Sequence, residues 1–256
     1  MSTGGGPREL APAPELLYLL EIGRGVSTIV APEDEMFTGS REHYFLVGRS
    51  AFDAICLALK AAGKNDVRRI LDLPCGHGRV LRYLRAAFPD AELTACDLNR
   101  SGVGFCAETF DALPVHSAER AQDIGVQGGF DLIWCGSLVT HFEAGRFREF
   151  LGFFVSLLAP GGVLVLTTHG RGALVRIERG DSYALDASGV RRLLRGYRRH
   201  GFGYAPYPGM DAYGVSLSAP SWVCAQIEQL PDVRIALYAE RAWDDHQDVV
   251  GCVRTI

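Results

Sequence analysis

Hydrophobic positions along this chain follow two rhythms. Short apolar runs, the signature of buried strands, alternate with longer stretches in which apolar residues return every three or four positions, the signature of helices packed on one face. The first strong helical pattern is "REHYFLVGRSAFDAICLALKAAG", which closes on Gly63, a suitable C-cap. "PELLYLLEIGRGV", before it, reads as a short amphipathic helix. After Gly63 the alternation sets in. "VRRILDL" reads as a strand and "GRVLRYLRAAFPDA" as a helix stopped by Pro89. "ELTACDL", "LPVHS", "FDLIWCGSL" and "VLVLTT" read as four further strands. "SGVGFCAETFDA" and "AGRFREFLGFFVSLLA" are the helices among them, the second ending at Pro160-Gly161-Gly162. Beyond Thr168 the spacing predicts a helix in "GVRRLLRGYRRHG", loops and turns in "FGYAPYPGMDAYGVSLS", a helix in "PSWVCAQIEQL", and strands in "VRIALYAERAW" and "DVVGCVRTI". Strands alternating with helices imply a parallel sheet covered on both faces, and right-handed crossovers make it a doubly wound, Rossmann-like sheet of seven strands.

No internal repeat or linker interrupts this order. Residues 1–40 are expected to form a tail with a short helix, and residues 41–256 a single domain in which 170–222 is an aromatic-rich insertion before the last two strands. A net charge of −4 gives no global attraction to nucleic acid or anionic membranes. The seven cysteines include no C-x-x-C pair and several lie in apolar runs, a pattern that suits a reducing compartment. The N-terminal "MSTGGGPRELAPAP" lacks the features of a signal peptide, and no uncharged apolar run reaches the ~20 residues that cross a bilayer. The chain is expected to be cytoplasmic, with no nucleic-acid or membrane partner and with a homodimer left open.

The chemistry gathers at "LDLPCGHGRV". In an open α/β sheet ligands sit beyond the carboxyl ends of the strands, so the turn after the first strand is the expected ligand loop. Glycines there admit close backbone approach, and Asp97, 21 residues after Gly76, stands where an acid accepts both ribose hydroxyls. Three ligand classes compete. A dinucleotide loop requires a third glycine, where Leu81 stands instead, and a phosphate-binding P-loop requires Gly-Lys-Ser/Thr, which is absent. A nucleoside cofactor without phosphates fits better than either.

Four stretches, "ILDLPCGHGRVLRYL", "LTACDLN", "FDLIWCGSLVTHF" and "LLAPGGVLVLTTHG", resemble the ordered motifs of class I S-adenosylmethionine-dependent methyltransferases over residues 66–170. The resemblance implies an antiparallel last strand, S-adenosylmethionine as cofactor and S-adenosylhomocysteine as product. It further implies that Asp72, Cys75, Gly76 and Gly78 line the methionine half of the cofactor. Asp97 would hold the ribose, Leu98 would lie beside the adenine, and Cys135 would bring its backbone to the methionine ammonium. Ser117 replaces the acid that the family often turns toward the adenine. Tyr44 and Arg49 of the leading helix would reach the methionine carboxylate. Pro74 departs from the usual glycine. It fixes φ and removes an amide donor, which predicts a stiff turn with contacts from Gly76 onward. His77 is then either a lid over the ligand or an exposed side chain on the turn.

Methyl transfer to a hydroxyl needs a base, most often histidine. His141 and His169, after the fourth and fifth strands, are the candidates, the alternative for each being a structural hydrogen bond. The tyrosine-rich insertion suggests a roof over a small-molecule acceptor, with Tyr207, Tyr213 and Trp222 as contacts, or else a satellite core. "WDDHQD" reads as a polar turn rather than a metal site, because neighbouring strand residues face opposite ways. Arg191, Arg192, Arg195, Arg198 and Arg199 read as a solvated surface spread over more than one helix face. The expected function is methyl transfer to a hydroxyl of an aromatic, sugar or natural-product scaffold. The alternatives are a non-catalytic cofactor-binding subunit and a methyltransferase of RNA or protein.

Overall fold

A computed structural model describes residues 25–256. The expected N-terminal tail, and nearly all of the short helix in "PELLYLLEIGRGV", lie outside the described residues. The leading helix, α1 (Arg41–Ala62), starts where the Ser40 side chain accepts from the His43 amide, and ends at Gly63 with φ of 74°. Its buried face, including Val47, Ala51, Phe52, Ile55 and Ala58, lies against the sheet.

The strands are β1 (Arg69–Asp72), β2 (Glu92–Asp97), β3 (Leu113–His116), β4 (Phe130–Cys135), β5 (Leu158–Thr168), β6 (Phe202–Pro206), β7 (Gly214–Ser218), β8 (Val233–Trp243) and β9 (Gln247–Arg254). Seven of them form one sheet in the order β3-β2-β1-β4-β5-β9-β8, while β6 and β7 pair separately. The strands β1 to β5 are parallel, and β9 runs antiparallel to both β5 and β8. Because β1 lies between β2 and β4, the order reverses there and a crevice opens above its carboxyl end.

The helices α2 (Leu81–Ala87) and α3 (Arg100–Phe110) share one face of the sheet with α1, and α4 (Ala144–Leu157) covers the other. The apolar clusters on the two faces are separate, as a doubly wound sheet requires, and Phe147, Phe150, Leu151 and Phe154 of α4 dominate the second. No helix among the described residues is long and apolar enough to cross a membrane. All seven cysteines are unpaired.

Three local expectations are corrected. First, "FGYAPYPGMDAYGVSLS" is a β-hairpin rather than a run of loops. Its inward positions in β6 are Gly203 and Ala205, small because the helix α6 (Ala187–His200) lies directly on them. A Cβ at Gly203 would collide with the Leu193 carbonyl. Small buried residues next to tyrosines and prolines hide the alternation that marks a strand. Second, a short helix α5 (Arg171–Glu178) follows β5, where no element was expected. Third, the five arginines of α6 do share a face. At about 100° per residue they span an arc of roughly 120°, all exposed, while Leu193 is buried beneath them. Together α5, α6 and the hairpin enclose a third small core of Ala173, Ile177, Leu185, Leu193, Ala205, Val215 and Leu217. A last helix, α7 (Pro220–Ile227), returns the chain to the sheet.

Candidate active site

The turn after β1 opens at Gly76. The Leu73–Pro74 peptide is cis, and the Cys75 amide donates to the Cys96 carbonyl at 3.0 Å. Gly76 follows with φ of 50°, and no atom lies within 4 Å of where its Cβ would stand. The Gly76 amide donates to Asp97 Oδ2 at 2.8 Å, and the Asn99 amide donates to Oδ1 at 2.8 Å. Sequence reasoning offered contacts from Gly76 onward. The structure commits this amide to Asp97, so what Gly76 offers a ligand is open space. Gly78 turns away from the crevice toward Phe110.

A cavity of about 430 Å³ lies over this turn. Its wall includes Asp72, Cys75, Gly76, His77, Asp97, Leu98 and Ser117 of the expected cofactor residues, together with His141 and Tyr213. The Asp72 side chain is 1% exposed, and neither carboxylate oxygen has a hydrogen-bond partner. Burial, and after it the charge of Asp97, push its carboxyl well above the usual carboxylate range. A bare buried carboxylate costs stability unless something completes it. Both Asp72 oxygens are thus left without a partner from the chain itself, in the wall of the cavity.

Several expected residues lie elsewhere. Arg49 pairs with Asp53 at 2.8 Å, one turn along α1, and does not line the cavity. The cations in the wall are Arg79 and Arg146; Arg79 lies over the rings of Tyr44 and Trp243, and burial lowers its pKa. Tyr44 stands behind the wall. Its hydroxyl donates to Asp34 Oδ2 at 2.6 Å and accepts from Arg82 at 3.2 Å. Arg82 also binds the carbonyls of Ser27 and Ile29, which fastens the segment carrying Asp34, Glu35 and Met36 across the cavity edge. That segment buries His77, which is 4% exposed with Nδ1 at 3.8 Å from Asp34, so His77 is not a solvent-exposed side chain. Cys135 is fully buried, and its neighbours Trp134, Gly136 and Ser137 line the cavity instead.

The two candidate bases differ. His141 follows β4 and lines the cavity, its ring stacked on Tyr213 at 4.6 Å. Its Nδ1 lies 2.8 Å from the Gly214 carbonyl of β7. A carbonyl only accepts, so Nδ1 carries the hydrogen and Nε2 presents a lone pair. Burial lowers the His141 pKa, which keeps it neutral near pH 7. His169 points its Nδ1 at the Ser216 carbonyl at 3.2 Å, but it is sealed between His246 and Tyr183 and absent from the cavity wall. Burial, with His246 and His141 adding to it, takes its pKa down to about 3. His169 is thus a neutral core residue, and the reading of it as a base is withdrawn.

Of the expected acceptor contacts, only Tyr213 lines this cavity. Tyr207 lines a neighbouring recess of about 290 Å³, with its hydroxyl 3.3 Å from His141 Nδ1. Trp222 stacks on Phe202 at 4.2 Å and meets Phe147 of α4 at 5.0 Å, so it ties the hairpin to that helix. The "WDDHQD" segment holds no cluster able to bind a metal among the described residues.

One network escaped sequence reasoning. Ser137 lines the cavity in the left-handed region, with φ of 57°. Its amide donates to Thr167 Oγ1 at 2.8 Å, and Thr167 donates to Gln247 Oε1 at 2.6 Å. Gln247 Nε2 then donates to Ser137 Oγ at 3.0 Å, which closes the ring. The Ser137 hydroxyl hydrogen remains free for a bound molecule. These residues lie 30 to 110 positions apart, beyond the reach of local patterning.

Residues 71–164 match the family of methyltransferase domains. Over those residues the chain carries a methyltransferase domain. It is 30% identical over 118 residues to the fatty-acid O-methyltransferase of Mycolicibacterium smegmatis, a segment covering 44% of this chain and 42% of that protein. It is 33% identical over 107 residues to phthiotriol/phenolphthiotriol dimycocerosates methyltransferase 1 of Mycobacterium ulcerans, covering 39% and 37%. The matched segment thus spans less than half of either relative. In fold, the methyltransferase domain is similar to an S-adenosylmethionine-dependent methyltransferase from Clostridium acetobutylicum, with a TM-score of 0.56 at 12% identity over 80% of this chain and 91% of that one.

Proposed function

We propose that this chain transfers a methyl group from S-adenosylmethionine to an oxygen of a small, largely apolar acceptor. The observation that carries the reading is the buried, unpartnered Asp72 carboxylate in the wall of a cavity that also holds the open Gly76 turn and Asp97. These groups fit the cofactor. Asp72 offers both oxygens to an ammonium, Arg79 offers its guanidinium to a carboxylate, and Asp97 keeps lone pairs for ribose hydroxyls. Leu98 and Ser117 border the place of the adenine. When bound, S-adenosylmethionine supplies a methyl group already activated on a sulfonium.

The protein then has to align the acceptor, remove a proton and exclude water. His141 Nε2 takes the proton from an acceptor hydroxyl, whereas a carboxylate acceptor, already ionised near pH 7, needs no base; the Gly214 carbonyl holds the ring through Nδ1. Tyr213 gives the acceptor an aromatic wall, and residues 170–222 roof the site. Arg146 fastens that roof, stacking on Phe142 and donating to the Ala212 carbonyl at 3.1 Å. The likeness to a fatty-acid O-methyltransferase supports oxygen as the receiving atom and an apolar acceptor. Incubation with methyl-labelled cofactor and panels of long-chain fatty acids, phenols and sugars tests the reading. Label in an oxygen-methylated product is expected. Cofactor binding without transfer to any of these acceptors would favour a non-catalytic partner subunit instead.

A further inference from the structure

We propose that the arginine face of α6 docks the protein on an anionic lipid surface and turns the mouth of the candidate site toward it. Residues 171–200 carry eight arginines against three acids, in a chain whose net charge is −4. The positive charge is therefore segregated, a property that total charge conceals. Arg191, Arg192, Arg195, Arg198 and Arg199 project along one side of a helix about 21 Å long, and all five are exposed. Among the described residues only Arg198 has an ion pair, with Glu178 of α5 at 3.0 Å. Asp186, at the helix start, is already engaged as the N-cap by the Gly189 amide.

Exposed apolar side chains flank the stripe on both sides. The Arg198–Glu178 pair brings α5 alongside, and Val175, one helical turn before Glu178, is 43% exposed. On the other side Arg192 shares its recess with Tyr207 and Met210, and Met210 is 52% exposed, although Asp211 lies in the same recess. Tyr213, across the same hairpin loop, is 40% exposed and also lines the main cavity. Cationic stripe, apolar flanks and cavity mouth are thus contiguous.

Arginines alone would suit any polyanion. The flanking Val175 and Met210 add little against a phosphate backbone, but they match a bilayer boundary, where basic heads meet lipid phosphates and apolar groups enter the acyl layer. The face therefore favours a lipid surface over a nucleic acid. Binding of this kind does not depend on the methyl-transfer reading.

The test is flotation of the full-length protein with vesicles of phosphatidylglycerol and phosphatidylcholine in equal parts, beside vesicles of phosphatidylcholine alone. Each arginine near an anionic leaflet contributes about fivefold in binding, so Arg191→Glu/Arg195→Glu/Arg199→Glu is expected to lose at least a hundredfold. Binding of the parent should weaken as salt rises toward about 0.15 M. Titration of the triple variant with S-adenosylhomocysteine reports on the cavity separately, and parent-like behaviour there shows the fold intact. Failure of the parent to float with anionic vesicles, equal flotation of the triple variant, or preference for duplex DNA over vesicles would each overturn the proposal.

Discussion

The two walls of the cavity are built on opposite principles. The turn wall, from Asp72 to Asp97, is fixed by main-chain amides donating to β2 and to the Asp97 carboxylate, and leaves the Asp72 carboxyl unsatisfied. The roof wall, with His141 and Tyr213, is fixed by long-range side-chain contacts and leaves only one imidazole nitrogen free. The first is a preformed cradle for one ligand chemistry. The second is a surface whose shape follows from how the hairpin packs. Stability of the fold alone would favour an apolar residue in place of Asp72, which is why its unpartnered carboxyl supports the proposed cofactor role. The same contrast appears in the two histidines that face β7. His141 and His169 meet carbonyls two residues apart, at Gly214 and Ser216, yet one opens on the cavity and the other is sealed.

Breaking the roof side at its reactive atom should have the largest effect. His141→Gln is expected to lower kcat by about 10²- to 10⁴-fold on an oxygen acceptor and to leave affinity for S-adenosylhomocysteine within a factor of two or so. In the parent, activity should fall only as pH drops below about 6.5, because burial depresses the His141 pKa. A normal kcat in this variant removes His141 as the base.

The turn wall gives the next effect, in which binding and stability separate. Asp72→Asn should weaken S-adenosylhomocysteine about a hundredfold or more and leave Tm at or above the parent's, since a neutral amide replaces a carboxyl whose ionised form burial disfavours. Equal losses in both would make Asp72 a structural residue. Between the walls, Gln247→Leu breaks the ring that holds Ser137 and should raise the acceptor KM by about tenfold, roughly the value of one lost hydrogen bond. Adding Ser137→Gly should restore the stability lost in Gln247→Leu, because glycine adopts φ of 57° without strain.

The smallest effect at neutral pH comes from the sealed histidine. The folded pKa of His169 is depressed, so the unfolded chain takes up its proton first as pH falls. Stability contributed by the neutral ring is complete above about pH 6.5 and is lost progressively toward the folded value of about 3. His169→Asn should flatten the acid limb of a denaturation series by an amount on the order of 4 kcal/mol at its lower end. An unchanged limb would place the acid sensitivity elsewhere.

Legibility in sequence follows the same division. The seven strands of the main sheet, the leading helix, the glycine turn and the place of Asp97 could be read because each is coded by neighbours in the chain. Arg79 stands one residue beyond Gly78 and was passed over for Arg49, since nothing in helical spacing says that Arg49 pairs with Asp53 on the outer face. His77 could not be placed because the segment that buries it lies more than 40 residues upstream and has no periodicity. The hairpin was missed because packing against α6 demands Gly203 and Ala205 where a strand normally shows bulkier residues. Ser137, Thr167 and Gln247 meet only through the order of β4, β5 and β9, which single-residue patterns do not carry.

Calorimetric titration with S-adenosylhomocysteine, parent beside Asp72→Asn, tests most directly the claim that the unpaired Asp72 carboxyl receives the ammonium of an amino-acid nucleoside. Saturable binding by the parent and its loss in a variant at least as stable is the predicted result. No binding by the parent, or equal binding by the two proteins, would contradict the account.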